Sequence, residues 1–158
     1  MSAQGAAARS CQLTGRRTAA ADQIVSVTCF NGAAKADAPF TLTFAGGTGL
    51  FGAPGRWAAS ALSIQPAAAA PGSEPASTFN SAGGATTVTR SAAGTYQVRL
   101  GGVAVTRGHV QITAVGSDGR RCAVADLVRS GSDQLVTVAC TTPAGARADT
   151  RFAVNWLS

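Results

Sequence analysis

The stretch CAVADLVRSGSDQLVTVACTTPAGARADTRFAVNW, residues 122–156, decides how this chain is read. Within it DQLVTVAC, Asp133 to Cys140, alternates apolar and polar side chains at period two and is rich in β-branched residues, the pattern of a half-buried strand. A further alternating run, RFAVNW, ends at Trp156. An earlier version of the whole stretch occupies residues 11–44, CQLTGRRTAAADQIVSVTCFNGAAKADAPFTLTF. In both copies seventeen residues separate two cysteines, and the second cysteine closes a strand-like run that opens with Asp-Gln.

Matching Cys11 to Cys122 pairs Asp22 with Asp133, Gln23 with Gln134, Val25 with Val136 and Val27 with Val138. After one inserted residue Lys35 falls on Arg147, Asp37 on Asp149, Phe40 on Phe152 and Phe44 on Trp156. The apolar matches predict core positions. The two Asp-Gln pairs stand just before a strand, where an Asp side chain caps a turn.

The copies are unequal. Ahead of Cys122 run TTVTR (Thr86–Arg90), TYQVRL (Thr95–Leu100) and VQITAV (Val110–Val115). Ser-Ala-Ala-Gly joins the first two into a hairpin with Gly94 as the positive-φ residue. Tyr96, Val98 and Leu100 are expected on its buried face, with Gln97 and Arg99 outside. Ahead of Cys11 stand only ten residues. Residues 1–45 therefore predict a partial repeat of three strands: one from Cys11 to Leu13 before a turn at Gly15-Arg16-Arg17, one from Asp22 to Phe30, and PFTLTF with Phe40, Leu42 and Phe44 on one face. Such a half module exposes strand edges unless the complete module or another chain covers them.

Residues 46–78 predict a Gly/Ala/Pro-rich connector, in which WAASALSI from Trp57 to Ile64 suits a turn of helix or an irregular strand equally. Residues 79–158 predict the complete module. The regular spacing of about eight to nine short strands, with Gly-rich turns and no long helix, predicts an all-β fold: an antiparallel β-sandwich, Ig-like or similar.

The chain has 158 residues, of which 46% are hydrophobic, but much of that content is Ala, and nine aromatics must fill the core. A thin core leans on covalent staples. Four cysteines, Cys11, Cys29, Cys122 and Cys140, lack the close pairs and His partners that zinc needs, the one histidine being His109. They are read as disulfides, which places the protein outside the cytoplasm, secreted or at the cell surface. Pairing within each copy, Cys11 to Cys29 and Cys122 to Cys140, is the leading scheme among the three connectivities that four cysteines allow. Each loop closed this way stabilises the fold by about 3 kcal/mol in the loop-entropy model.

The net charge of +6 is dispersed over single arginines and the pairs Arg16-Arg17 and Arg120-Arg121, without the basic run or aromatic motif of a nucleic-acid binder. An acidic polysaccharide, anionic lipid or acidic protein surface suits it better. Residues 1–10 contain no apolar leader segment, as in a mature or recombinant form that begins with an added Met. No run of eighteen apolar residues occurs, so no membrane span is expected.

Catalytic signals are weak. Gly47, Gly49 and Gly52 satisfy GxGxxG after a strand, but Pro54 and Gly55 follow at once and no alternation of strands with helices surrounds them, so a loop is expected and no cofactor. His109 is the lone candidate base and opens a strand, where an exposed edge position is the expectation. Arg129-Ser130-Gly131-Ser132 departs from the GxSxG elbow, Glu74 lies in the connector, and six Asp are scattered mostly over turns, against paired glycosidase carboxylates or a calcium site.

The segments TVTRSAAGTYQVRL, GHVQITAVGSDGRRCAV and DQLVTVACTTPAGARADTRFAV resemble small paired-cysteine β-modules that recur, often in tandem, in secreted proteins of actinobacteria and similar GC-rich bacteria. The resemblance covers residues 79–158 and part of 11–44, implies secretion and a small β-domain, and lends no catalytic residue. The expected function is a non-catalytic extracellular structural or adhesive module that self-assembles by strand or edge complementation. The expected partners are further copies, as a homo-oligomer or filament, or a protein or glycan surface. The alternative is a binding module or inhibitor of a secreted protease or glycan, presenting Gly46–Gly55 or Ala67–Ser77 with Arg56 or Arg90 as a basic anchor.

Overall fold

Period-two alternation makes one face of each strand apolar, and two such faces pressed together bury them both. The computed structural model describes residues 2–3, 9–42, 58–63 and 77–157. Among the described residues every regular element is a strand. In chain order they are β1 (Ser2–Ala3), β2 (Arg9–Ala19), β3 (Asp22–Asn31), β4 (Ala34–Lys35), β5 (Phe40–Thr41), β6 (Ala58–Ser63) and β7 (Ser77–Asn80). The remainder are β8 (Thr86–Ala92), β9 (Thr95–Leu100), β10 (His109–Val115), β11 (Arg121–Ser130), β12 (Asp133–Thr141) and β13 (Arg151–Leu157).

The fold is an all-β sandwich. A four-stranded sheet in the order β11-β12-β9-β8 faces a seven-stranded sheet in the order β4-β3-β2-β10-β13-β6-β7, and β1 pairs with β5 beside them. Tyr96, Val98, Leu100, Val136 and Val138 of the first sheet meet Phe152, Val154 and Trp156 of the second, all fully buried. The Tyr96 and Phe152 rings lie 5.2 Å apart, tilted by 50°, and tie the layers. Trp156 buries its ring and donates its indole N–H to the Val103 carbonyl at 3.2 Å, so no polar atom is stranded. On β9 the expected alternation holds, with Gln97 and Arg99 exposed between buried neighbours.

Gly94 turns the β8–β9 hairpin at φ +62°. A Cβ there would sit 2.5 Å from the Cys140 carbonyl oxygen and 2.6 Å from the Ala148 nitrogen, so close approach as well as positive φ demands glycine. The WAASALSI segment resolves in favour of strand: β6 pairs antiparallel with β13, and β7 with β6, so strands of the large sheet arise within the connector stretch. The expected turn at Gly15-Arg16-Arg17 does not form. β2 runs on to Ala19 in register with β3, its one extra residue, Thr14, absorbed as a bulge between Leu13 and Gly15. The turn falls instead at Ala20 and Ala21, with Ala20 at φ 53°.

The β2 edge of the β2–β3 hairpin is partly closed within the chain. β2 lies parallel to β10, Leu13 opposite Val115, and Gly116 donates its N–H to the Leu13 carbonyl at 3.0 Å. This parallel contact joins the first hairpin to a sandwich whose other strand pairs are antiparallel among the described residues.

Candidate functional site

Both disulfides form as the copy alignment predicts, Cys11–Cys29 and Cys122–Cys140, each bridging directly opposed residues of a hairpin. Two disulfides fit an oxidising compartment. The hairpins correspond beyond the cysteines. Two residues after the first cysteine of each comes a bulge, at Leu13/Gly15 and at Val124/Asp126. Thr141 bridges to Arg147 as Phe30 does to Lys35, and Ala148 donates to the Cys140 carbonyl as Ala36 does to that of Cys29. Ala3 stands opposite Phe40 as Ala114 does opposite Phe152.

Their surroundings differ. β12 lies inside its sheet, with β11 on one side and β9 on the other, where Gln134–Ala139 pair with Leu100–Thr95. β3 has β2 on one side and, among the described residues, only β4 on the other, which reaches Phe30 and Asn31. Among the described residues no strand pairs with the outer edge of Gln23–Thr28. Burial follows: Val136 and Val138 are 0% exposed, whereas Val25 and Val27 remain half-buried. Phe152 and Val154 are each 1% exposed, whereas Phe40 and Leu42 are 43% and 45% exposed. Phe40 was expected in the core and is not there, because no second apolar layer covers it among the described residues. Phe44 lies outside them.

Asp149 gathers donors from the β8–β9 hairpin. Its Oδ1 accepts the Tyr96 phenol at 2.7 Å and the Gly94 N–H at 2.8 Å. Arg90 grips both oxygens, Nε at 3.0 Å and Nη2 at 2.9 Å, a planar two-point pair. The Arg90 bonds, followed by Gly94 and Tyr96, hold the Asp149 carboxyl well below the usual range despite partial desolvation. Burial, then the Asp149 bond, pushes the Tyr96 phenol above its ordinary value. One carboxylate thereby fastens the β8–β9 hairpin to the loop before β13. Its match, Asp37, is exposed, and among the described residues no side chain donates to its carboxylate; the Arg9 guanidinium bonds the Asp37 backbone carbonyl at 2.9 Å instead.

Between the hairpins lies a cleft of about 330 Å³ lined by Arg9, Arg120, Arg121, Ile112 and the disulfide residues Cys11 and Cys122. Its arginines are engaged by the protein: Arg120 with the Asp149 carbonyl and, at 3.0 Å, the Asp118 carboxylate, Arg121 with the Ser10 hydroxyl at 3.2 Å. Gln12, fully buried, spans the junction, donating to the Arg120 carbonyl and accepting the Gly119 N–H at 3.2 Å. Phe30 packs over Gly119, where φ is +73° and a Cβ would stand 3.3 Å from the ring.

Other candidates fall apart as sites. His109 is exposed at the first residue of β10, opposite Leu157. Ser130 ends β11 opposite Asp133, and Gly131 and Ser132 form the β11–β12 turn. Arg90, considered as an anchor for a partner, is committed to Asp149. Asp133 does cap, but on a neighbouring loop: it accepts the Gly102 N–H at 3.0 Å and binds Arg99, contacts that lower its pKa. Gln134 donates to the Val128 carbonyl at 2.8 Å. Gly47, Gly49, Gly52, Arg56, Glu74, Gly46–Gly55 and residues 67–76 lie outside the described residues, and no acidic, His or Cys cluster suited to a metal occurs among the described ones. Sequence reasoning missed the Asp149 node and the Gln12 bridge; the pairing of Asp37 with Asp149 was the one signal for the first, and a lone Gln gives none for the second. No family model matches the chain, and no curated protein or solved structure is significantly similar to it.

Proposed function

We propose that the protein is a non-catalytic module of the extracellular space, structural or adhesive, that assembles through complementation of open strand edges. The observation that carries this reading is the contrast between matched residues: Val136, Val138, Phe152 and Val154 are sealed in the sandwich, while Val25, Val27, Phe40 and Leu42 stand wholly or partly open. Open edges with apolar faces are templates for pairing with another chain. A second such edge lies on β11, where Val124, Leu127 and Val128 are exposed. β2, its counterpart, uses the same position to join β10 within the chain. Repetition of such a heterologous contact builds filaments or rings. The two disulfides support an extracellular location. Size-exclusion chromatography with light scattering and negative-stain microscopy tests the proposal. Concentration-dependent oligomers are expected, and a compact monomer at every concentration contradicts it.

A second reading, a module that binds an acidic glycan or protein, rests on the cleft lined by Arg9, Arg120 and Arg121. Salt-sensitive retention on an anionic polysaccharide column is its expected sign, and elution with the void volume at low salt removes it.

A further inference from the structure

Resting on the edge-complementation reading, we propose that the outer edge of β3, Gln23–Thr28, together with the Asp37 carboxylate, is an acceptor site for a β-hairpin of the β8–β9 type supplied by another polypeptide. The complete copy is the template. There β9 lies antiparallel on β12 with Tyr96 opposite Val138, Val98 opposite Val136 and Leu100 opposite Gln134. Transferred through the matched residues, the incoming strand places a tyrosine opposite Val27, a valine opposite Val25 and a leucine opposite Gln23.

Backbone polarity agrees. The Cys11 and Cys29 Cα atoms are 4.0 Å apart, the close spacing of a pair that does not exchange hydrogen bonds, so the Cys29 N–H and C=O point away from β2. The Cys29 carbonyl is taken by the Ala36 N–H at 3.0 Å. In the complete copy the corresponding N–H, that of Cys140, donates to the Gly94 carbonyl at 2.7 Å, the turn of the β8–β9 hairpin. The open edge thus presents the same donor to an incoming turn glycine.

Charge agrees as well. Asp149 takes the arginine, the turn N–H and the tyrosine phenol of the hairpin it holds, and Asp37 stands at the matched position with its carboxylate exposed. The occupant is therefore a hairpin whose first strand carries an arginine, whose turn ends in glycine, and whose second strand begins Thr-Tyr and alternates apolar residues. It is not the β8–β9 hairpin of a second intact copy, because Tyr96, Val98 and Leu100 are 0% exposed in their own sandwich.

The test uses a fluorescein-labelled synthetic peptide, TTVTRSAAGTYQVRL, and the intact chain at a dilution where it is monomeric. Saturable anisotropy is expected, with slowed hydrogen exchange at Val25 and Val27. Asp37→Ala in the protein, or replacement of the peptide's arginine by alanine, should each weaken binding about five- to tenfold, the loss of roughly one charge-assisted contact. Asp37 is exposed, so its removal leaves folding intact. Absence of saturation, indifference to Asp37→Ala, or loss of protection at Tyr96 and Val98 through exchange of the native hairpin overturns the inference. A chain that oligomerises yet does not bind the peptide refutes this site and leaves the assembly reading standing. A chain that binds the peptide at β3 but never oligomerises supports the site and refutes self-assembly.

Discussion

The Tyr96 phenol donates to Asp149 at 2.7 Å, linking residues 53 positions apart in sequence and fastening the β8–β9 hairpin to the loop that leads into β13. Arg90 and the Gly94 N–H complete the same carboxylate. Removing the acceptor strands several donors at once. Asp149→Ala is expected to cost about 2–3 kcal/mol, discounted for partial solvent access, and Tyr96→Phe about 1 kcal/mol. Thermal unfolding should show midpoints lowered by about 2–4 °C per kcal/mol. Equal, small shifts for both variants would show that the carboxylate does not organise the hairpin.

The same group sets the acid limit. The Asp149 carboxyl is held below the ordinary Asp range in the fold, so its stabilisation is complete above the unfolded pKa of about 3.9 and is lost as pH falls through the depressed folded value. Tyr96 has the opposite sign: its pKa is raised in the fold, so its contribution is full below about 10 and declines as pH rises above that. Denaturant midpoints measured across pH should fall at both ends. Asp149→Asn should flatten the acid limb, and an acid limb unchanged by that substitution counts against the assignment.

The glycine at the β8–β9 turn is held by more than its dihedral. Gly94 and Gly131 have nearly equal φ, +62° and +60°, but nothing lies within 4 Å of a Cβ at Gly131. Gly131→Ala should cost about 1–2 kcal/mol for the left-handed backbone alone. Gly94→Ala adds collision with Cys140 and Ala148 and should cost more, read as a lower urea midpoint. Matching midpoints for the two variants would mean that the turn relaxes freely.

Much of this architecture was legible in the residues. Period-two runs ending at Cys29, Leu100, Cys140 and Trp156 place four strands, and the copy alignment pairs the cysteines correctly because opposed positions of a hairpin recur at the same spacing. The long β2 was not legible: Gly15-Arg16-Arg17 has turn composition, and only pairing with β3 across a bulge keeps it extended. Nor was the exposure of Phe40, since periodicity reports which residues share a face but not whether a second layer covers it. The Asp149 cluster draws on β8, β9 and the loop before β13, a convergence that only the folded topology creates.

The junction between the two hairpins turns on Gln12. Gln12→Ala removes a buried amide that serves both Gly119 and Arg120, leaving two backbone groups unpaired at a cost of about 1–3 kcal/mol. The loss should be local. Hydrogen exchange is expected to quicken in β2 and at Gly119 while β9 and β12 keep their protection. Uniform acceleration would mean that hairpin and sandwich unfold as one unit.

The disulfides differ in access. The difference lies at one sulfur: Cys140 is 0% exposed, while Cys11, Cys29 and Cys122 are half-buried, so only the first bridge is reachable from both ends. Under limiting reductant followed by alkylation and peptide mapping, Cys11 and Cys29 should be labelled before Cys122 and Cys140. The reverse order would show that the first hairpin is sealed in solution.

That sealing is the central question, and sedimentation velocity of the intact chain from micromolar to millimolar concentration tests it most directly. Species that grow with concentration are expected, and Val25→Lys, which puts a charge on the open edge of β3, should suppress them. A single monomer boundary at every concentration, or oligomers that persist unchanged in Val25→Lys, contradicts it.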